Sequence, residues 1–146
     1  MPSTAPSAAW EHEPVDVDRL AKLPLFGELD NYDLGQLAGW LVDVELHEGE
    51  PLMEQGGMPD MLFVLETGTV DVLRDGERVA SLGPGQVVGE ISLIDPQRRT
   101  ATVRATSDVR AVALPLEHLD RLEGEMPEIV RKLRWIAGKR RAELDG

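Results

Sequence analysis

The chain contains no cysteine among its 146 residues, which excludes disulfides, thiol catalysis and cysteine-bound zinc. Histidine is also scarce, because His12, His47 and His118 lie far apart in the sequence and offer no clustered set of metal ligands. None of the serines belongs to a motif that links it to a histidine and an aspartate, as nucleophilic hydrolysis requires. We therefore expect no catalytic residue, no metal site and no cofactor.

Basic residues and long apolar runs are in short supply as well. Fifteen Lys and Arg residues stand against 27 Asp and Glu residues, which gives a formal net charge of −12. The electrostatic field of this net negative charge repels nucleic acid, because proteins bind nucleic acid largely by neutralising its phosphates with Lys and Arg. No segment approaches the ~20 apolar residues of a membrane helix, and no secretory signal is visible. The sequence predicts a soluble, cytoplasmic protein without nucleic-acid or membrane partners.

Apolar periodicity divides the chain into a tail and one domain. Residues 1–16 are rich in Pro, Ser and Ala and are predicted to form a disordered tail, followed by a domain over residues 17–146. Leucines at helical spacing predict helices over residues 18–40, broken at Pro24 and Gly27 into a short and a longer helix.

The pattern changes to short strands over residues 42–115. Val42 and Val44 alternate with acidic residues, as in a half-buried strand, and Asp75-Gly76 is typical of a tight hairpin turn. Glycines punctuate the segment at short intervals. These features predict an α+β, mainly β, fold: an antiparallel β-roll or jelly roll flanked by an N-terminal helical segment and C-terminal helices. Cupin metalloenzymes share such strands, but the scattered histidines argue against that class.

Helical spacing returns over residues 116–144. A short helix is predicted to end at Gly124, and a second to begin near Pro127. Gly124 and Gly138 interrupt the apolar stripe and are predicted hinges. The basic run 139–141 falls near the end of the second helix, where cations complement the helix dipole; an acidic docking partner is the alternative.

The segment 89–103 carries the strongest chemical signal. Gly89 allows the backbone to approach a ligand, and Glu90 and Ser92 open a predicted helical turn whose N–H groups attract an anion. Arg99, nine positions after Glu90, offers a planar grip on phosphate oxygens, while Glu90 accepts hydrogen bonds from a hydroxyl. A ligand with both a phosphate and a hydroxyl fits this pair.

This segment resembles the phosphate-binding cassette of the cyclic nucleotide-binding domain family. In that family Gly-Glu, a short helix and Arg-(Ala/Thr/Ser)-Ala-(Thr/Ser)-Val recur in that order, and here residues 89–103 follow it. The resemblance extends over roughly residues 20–144. The resemblance is therefore specific, because both the cassette motif and the order of the surrounding segments match those of the family.

The resemblance implies a role for each cassette residue. Glu90 would bind the ribose 2′-hydroxyl and Arg99 the cyclic phosphate. The backbone of Ile91 and Ser92 and the hydroxyl of Thr100 would complete the phosphate cradle.

The last helix of such domains swings over the nucleotide and often covers its base. Arg131, Arg134 and Trp135 are the candidates for this role. The resemblance implies a receptor for cAMP that transmits occupancy to a partner chain through the C-terminal helix. Neither the effector protein nor the oligomeric state follows from the sequence, and a homodimer is one option.

Two alternatives stay open. The Thr100 hydroxyl would reach a guanine amino group if the base is syn, which favours cGMP or another cyclic nucleotide. The second alternative is an interaction module of the same fold that has lost its ligand.

Overall fold

A computed structural model describes residues 15–90, 99 and 101–145, with the backbone alone for 143–145. Two helices precede the strands: α1 (Val17–Ala21) and α2 (Asn31–Trp40), separated by a 3₁₀ turn at Pro24–Phe26. Aspartates cap both helices, since Asp16 accepts from the Asp18 amide and Asp30 from the Asp33 amide, each at 2.8 Å. The break predicted at Pro24 is confirmed.

Val15 and Asp16, which the sequence assigns to the tail, have contacts with the rest of the fold. Val15 is buried, its amide donates to the Ala38 carbonyl at 3.2 Å, and Asp16 caps α1. Both residues therefore belong to the fold. Residues 1–14 lie outside the described residues.

Eight described strands form two antiparallel sheets. They are β1 (Val42–Leu46), β2 (Pro51–Met53), β3 (Met61–Thr67), β4 (Val70–Arg74), β5 (Glu77–Leu82), β6 (Val87–Val88), β7 (Thr102–Ala105) and β8 (Val109–Pro115). One sheet has the order β1-β8-β3-β6 and the other β2-β7-β4-β5. The mainly β fold class predicted from the sequence is confirmed.

The β4–β5 hairpin turns where Asp75-Gly76 predicted it. Both residues have positive φ, 54° for Asp75 and 84° for Gly76. Such angles match the twist of a tight hairpin, and short polar residues and glycine adopt them at least cost.

The sheet β1-β8-β3-β6 is covered on both of its faces. Leu62 and Val64 of β3 belong to a helical cluster that this sheet shares with the N- and C-terminal helices. Met61, Phe63 and Leu65 belong to an inter-sheet cluster between the two sheets. Alternate side chains of β3 thus enter different cores, which explains its continuous apolar run. The domain therefore has three layers: the helices, the sheet β1-β8-β3-β6 and the sheet β2-β7-β4-β5.

An ion-pair cluster ties α1 to this sheet. Arg19 donates from Nε to Glu66 Oε2 on β3 at 2.9 Å, and from Nη2 to Asp43 Oδ1 on β1 at 2.9 Å; Nη2 also contacts Glu66 Oε1. The hydrogen bond to Glu66 raises the pKa of the Arg19 guanidinium above its ordinary value. The cation is therefore fixed at this junction.

After a 3₁₀ turn at Leu116–His118, the chain forms α3 (Leu119–Glu125) and α4 (Pro127–Asp145). α3 ends at Glu125, one residue after the end predicted at Gly124, whereas α4 continues without interruption through Gly138, where a hinge was predicted. Isolated glycines lower helix stability by only about 1 kcal/mol, and tertiary packing outweighs this. No described helix is both long and apolar enough to cross a membrane.

Candidate functional site

Glu90 is a buried carboxylate two residues after the short strand β6. The side chain is only 4% exposed, although it is ionisable. Its oxygens accept from one nitrogen, Nη1 of Arg140 on α4, at 2.7 Å for Oε1 and 3.0 Å for Oε2. The same nitrogen contacts the carbonyl oxygen of Val87. The C-terminal helix therefore reaches into the site predicted from the sequence.

Arg99 is the second buried charge, with 4% of its side chain exposed. Its backbone is fixed by the turn after β2, because its amide donates to the Gly57 carbonyl at 2.8 Å and its carbonyl accepts from the Gly56 amide at 2.9 Å. Nη2 donates to the Met61 carbonyl at 2.5 Å and lies 3.4 Å from Oδ1 of Asp60. Burial lowers the pKa of the guanidinium, while the Asp60 and Glu90 carboxylates oppose that shift. A guanidinium nevertheless stays protonated.

The other terminal nitrogen of Arg99 distinguishes this site. Nη1 is fully buried and has no hydrogen-bond partner among the described residues. Buried donors are nearly always paired, because an unpaired one loses its solvation without compensation. A ligand oxygen at this position would satisfy it.

Gly89 lies against this nitrogen. Its φ is +89°, and a Cβ at this position would lie 2.9 Å from Nη1 of Arg99, 3.0 Å from Cε of Met53 and 3.2 Å from the Met61 carbonyl oxygen. Glycine meets both requirements, a left-handed backbone and space beside the guanidinium. Of the six residues predicted to bind the ligand, the three that the structure describes, Gly89, Glu90 and Arg99, thus lie close together.

The ligand-binding roles of all six residues stay predictions. Ile91, Ser92 and Thr100 lie outside the described residues. Within the described residues, no group of three or more His, Asp or Glu side chains has an arrangement suited to a metal ion.

The sequence model of the cyclic nucleotide-binding domain family matches residues 43–124, which is more than half of the chain. The chain belongs to the cyclic nucleotide-binding domain family. Over 118 residues it is 33% identical to the cAMP-dependent protein kinase type II regulatory subunit of Drosophila melanogaster. The aligned region covers 77% of this chain and 31% of that protein. The chain spans about a third of the length of the curated relatives it matches.

Two solved structures extend the likeness. The regulatory subunit of a cAMP-independent protein kinase A from Trypanosoma brucei has a TM-score of 0.75 at 26% identity, covering 84% of this chain and 44% of that one. The corresponding subunit from Trypanosoma cruzi, bound to guanosine, has a TM-score of 0.68 at 28% identity, covering 79% of this chain and 41% of that one.

The three predicted base-covering residues of this family member lie at exposed positions of α4. Arg131 is exposed, and Arg134 donates to Glu123 of α3 at 2.8 and 3.3 Å. That hydrogen bond lowers the pKa of Glu123. Trp135 is 66% exposed, with the Lys139 ammonium 5.2 Å from its ring centroid. Trp135 does, however, share a cleft of about 570 Å³ with Arg140, so its role as a base cover stays a prediction.

Arg140 is the residue that sequence reasoning missed. The basic run 139–141 was interpreted as complementing the helix dipole, whereas Arg140 in fact pairs with Glu90. A signal was available, because Arg140 lies seven residues after Leu133 and three after Ala137, both of which are buried. This spacing places Arg140 on the packed face of α4.

Proposed function

We propose that this domain binds a cyclic nucleotide, with cAMP as the first candidate, and passes occupancy to a partner protein through α4. The observation that carries this proposal is the buried Nη1 of Arg99, which has no hydrogen-bond partner among the described residues. It lies beside Gly89, in a domain of this family. The ligand then contributes an anionic oxygen to Nη1, and Glu90 accepts from the ribose 2′-hydroxyl.

The charge of the chain bears on how such an anion is held. With a net charge of −12, the long-range field opposes a phosphate. The attraction must therefore come from short contacts in a site screened from water, where a charge-assisted hydrogen bond is strongest. Arg99 meets this condition because its side chain is buried.

A nucleoside without phosphate is the second candidate. The likeness to the trypanosomal regulatory subunit bound to guanosine favours it. Against it, a neutral nucleoside brings no anionic oxygen to the buried Nη1 of Arg99, which is costly for a charged donor. The presence of Arg99 therefore favours a phosphate-bearing ligand.

Calorimetric titration separates these candidates. The panel comprises cAMP, cGMP, cCMP, cUMP, adenosine and guanosine. We expect heat with at least one cyclic nucleotide and weaker or no binding of the matching nucleoside. No heat with any cyclic nucleotide at millimolar concentration would refute the proposal and leave the ligand-free interaction module, while tighter binding of a nucleoside would establish the second candidate.

Arg99→Ala tests the assignment of the phosphate contact. Truncating one partner of a buried charged contact costs on the order of 2 to 5 kcal/mol of binding free energy. The matched control is Arg78→Ala, which removes the same charge from an exposed position on β5. If both variants, folded by circular dichroism, bind like the parent protein, the phosphate lies elsewhere.

The partner and the location of the protein belong to the proposal as well. The Drosophila relative is a regulatory subunit of a protein kinase, which supports a protein effector for this domain too. A homodimer, a cytoplasmic location and the absence of catalysis and of a nucleic-acid partner stay predictions from the sequence.

A further inference from the structure

The turn between β2 and β3, residues 54–60, holds Arg99 at two places. The Gly56 amide and the Gly57 carbonyl pair with the backbone of Arg99. At the other end of the turn, Oδ1 of Asp60 lies 3.4 Å from Nη2 of the Arg99 guanidinium. The direction in which this side chain presents its buried Nη1 therefore depends on the conformation of the turn.

Gln55 anchors the beginning of this turn to two other segments. Its amide donates to Oγ1 of Thr102 on β7 at 2.9 Å. Its side chain makes two hydrogen bonds to Asp75 in the β4–β5 hairpin turn: Nε2 donates to Oδ1 at 2.9 Å, and Oε1 accepts from the Asp75 amide at 2.8 Å. A pair of such bonds fixes the direction of a contact as well as its distance. Because Gln55 directly precedes Gly56, the hairpin is joined to the segment that pairs with Arg99.

Asp75 offers Gln55 a fixed support. Among the described residues it is the non-glycine residue with a positive φ, 54°, a conformation that aspartate adopts more readily than most residues. The two strands of the hairpin are paired up to Arg74 and Glu77 on either side of it. The hairpin therefore sets the position of Asp75, and Asp75 in turn sets the position of the Gln55 side chain.

We propose that Gln55 is a positioning residue for the phosphate contact, which ties the exposed β4–β5 turn to the backbone of Arg99. When this tie is broken, the turn loses one of its anchors, and Nη1 is no longer presented in one fixed direction. Hydrogen bonds weaken steeply when they are misaligned, so the affinity for a phosphate falls although the arginine is still there. This inference rests on the proposed function. It connects the site to an exposed hairpin through contacts that do not involve α4.

Two compensating substitutions test the tie. In Gln55→Glu, a carboxylate oxygen replaces Nε2 beside Oδ1 of Asp75, so two like charges repel where a hydrogen bond was. In the double variant Gln55→Glu/Asp75→Asn, the new side-chain amide donates to the new carboxylate, and the pair forms again with donor and acceptor exchanged. Asp75→Asn alone keeps an acceptor for Nε2. The matched control is Gln36→Glu, which adds the same charge on α2 in the helical layer.

Calorimetry with cAMP measures the effect on the proposed site. A tie can transmit no more than its own free energy, so we expect Gln55→Glu to bind about three- to tenfold more weakly, as for one ordinary hydrogen bond. The double variant, Asp75→Asn and Gln36→Glu should bind like the parent protein. Binding like the parent by Gln55→Glu would overturn the inference. A loss that the second substitution does not recover would overturn it as well, because the tie would then not explain it.

Hydrogen exchange without ligand separates this inference from the proposed function. The amides of Gly56 and Arg99 should exchange faster in Gln55→Glu and recover in the double variant, while the amide of Val112 in β8 should exchange as in the parent protein. Unchanged exchange at both amides would show that Gln55 does not hold Arg99, which overturns this inference alone. Absence of heat from the parent protein with every cyclic nucleotide would instead refute the proposed function, and the inference with it.

Discussion

Replacing Gly89 by alanine tests two requirements at this position: a left-handed backbone, and space for the neighbouring Arg99 guanidinium. A non-glycine residue in the left-handed region costs roughly 1–2 kcal/mol. At Gly89 the new Cβ would also lie 2.9 Å from Nη1 of Arg99 and 3.2 Å from the Met61 carbonyl oxygen. The side chains of Arg99 and Met53 can give way, but the carbonyl is fixed in β3. We therefore expect overpacking to add ~1–3 kcal/mol of destabilisation.

The hairpin glycine provides the matched control. Gly76 has a φ of +84°, close to that of Gly89, but an added Cβ would meet nothing within 4 Å. Gly76→Ala should therefore lose only the backbone contribution, roughly 1–2 kcal/mol, and bind ligand normally. Gly68, where a Cβ would lie 2.2 Å from the backbone oxygen of Asp108, should be the most destabilised of the three without belonging to the site.

Two measurements decide the outcome. Urea denaturation gives the unfolding free energies, which should fall in the order parent, Gly76→Ala, Gly89→Ala, Gly68→Ala. Calorimetry with cAMP gives the affinity, which should fall at least tenfold in Gly89→Ala and stay unchanged in Gly76→Ala. The reasoning is wrong if Gly89→Ala binds like the parent protein, or if it is no less stable than Gly76→Ala.

Three further predictions follow from the same contacts. Cyclic AMP at a hundredfold excess over its dissociation constant should add about 2.7 kcal/mol to the unfolding free energy, and an unchanged melting temperature would contradict this. Arg19→Met should cost ~1–3 kcal/mol in urea denaturation, because Glu66, whose side chain is 11% exposed, loses its charged donor; an unchanged midpoint would count against the cluster. In a variant whose single tryptophan is Trp135, saturating cAMP should shift emission to shorter wavelength if that ring covers the base, whereas constant emission would exclude the role.

Local patterns were sufficient to predict much of the fold. Asp75-Gly76 predicted its hairpin because few residue pairs adopt two consecutive positive φ angles. The alternation from Val42 predicted β1 because one face of that strand enters the inter-sheet cluster. Pro127 predicted the start of α4, since its fixed φ suits a first helical position.

The errors arose where tertiary packing decides. Gly138 suggested a hinge, but Ala137 beside it is buried and α4 continues through this position. Arg140 was assigned to the dipole because local sequence cannot show that a buried carboxylate fifty residues earlier lies opposite it. Long-range pairing of this kind requires the three-dimensional structure.

The stretch from Val87 to Glu90 brings together parts of the molecule that are otherwise separate. Val87 packs into the helical cluster and Val88 into the inter-sheet cluster, while Gly89 and Glu90 belong to the site. Four consecutive positions thus contribute to two cores, a left-handed backbone conformation and the buried contact with Arg140. We expect mutation at any of them to affect the stability of the fold and the proposed site together, so this stretch has little freedom to vary. New ligand preferences should therefore evolve through side chains that reach the site from other elements.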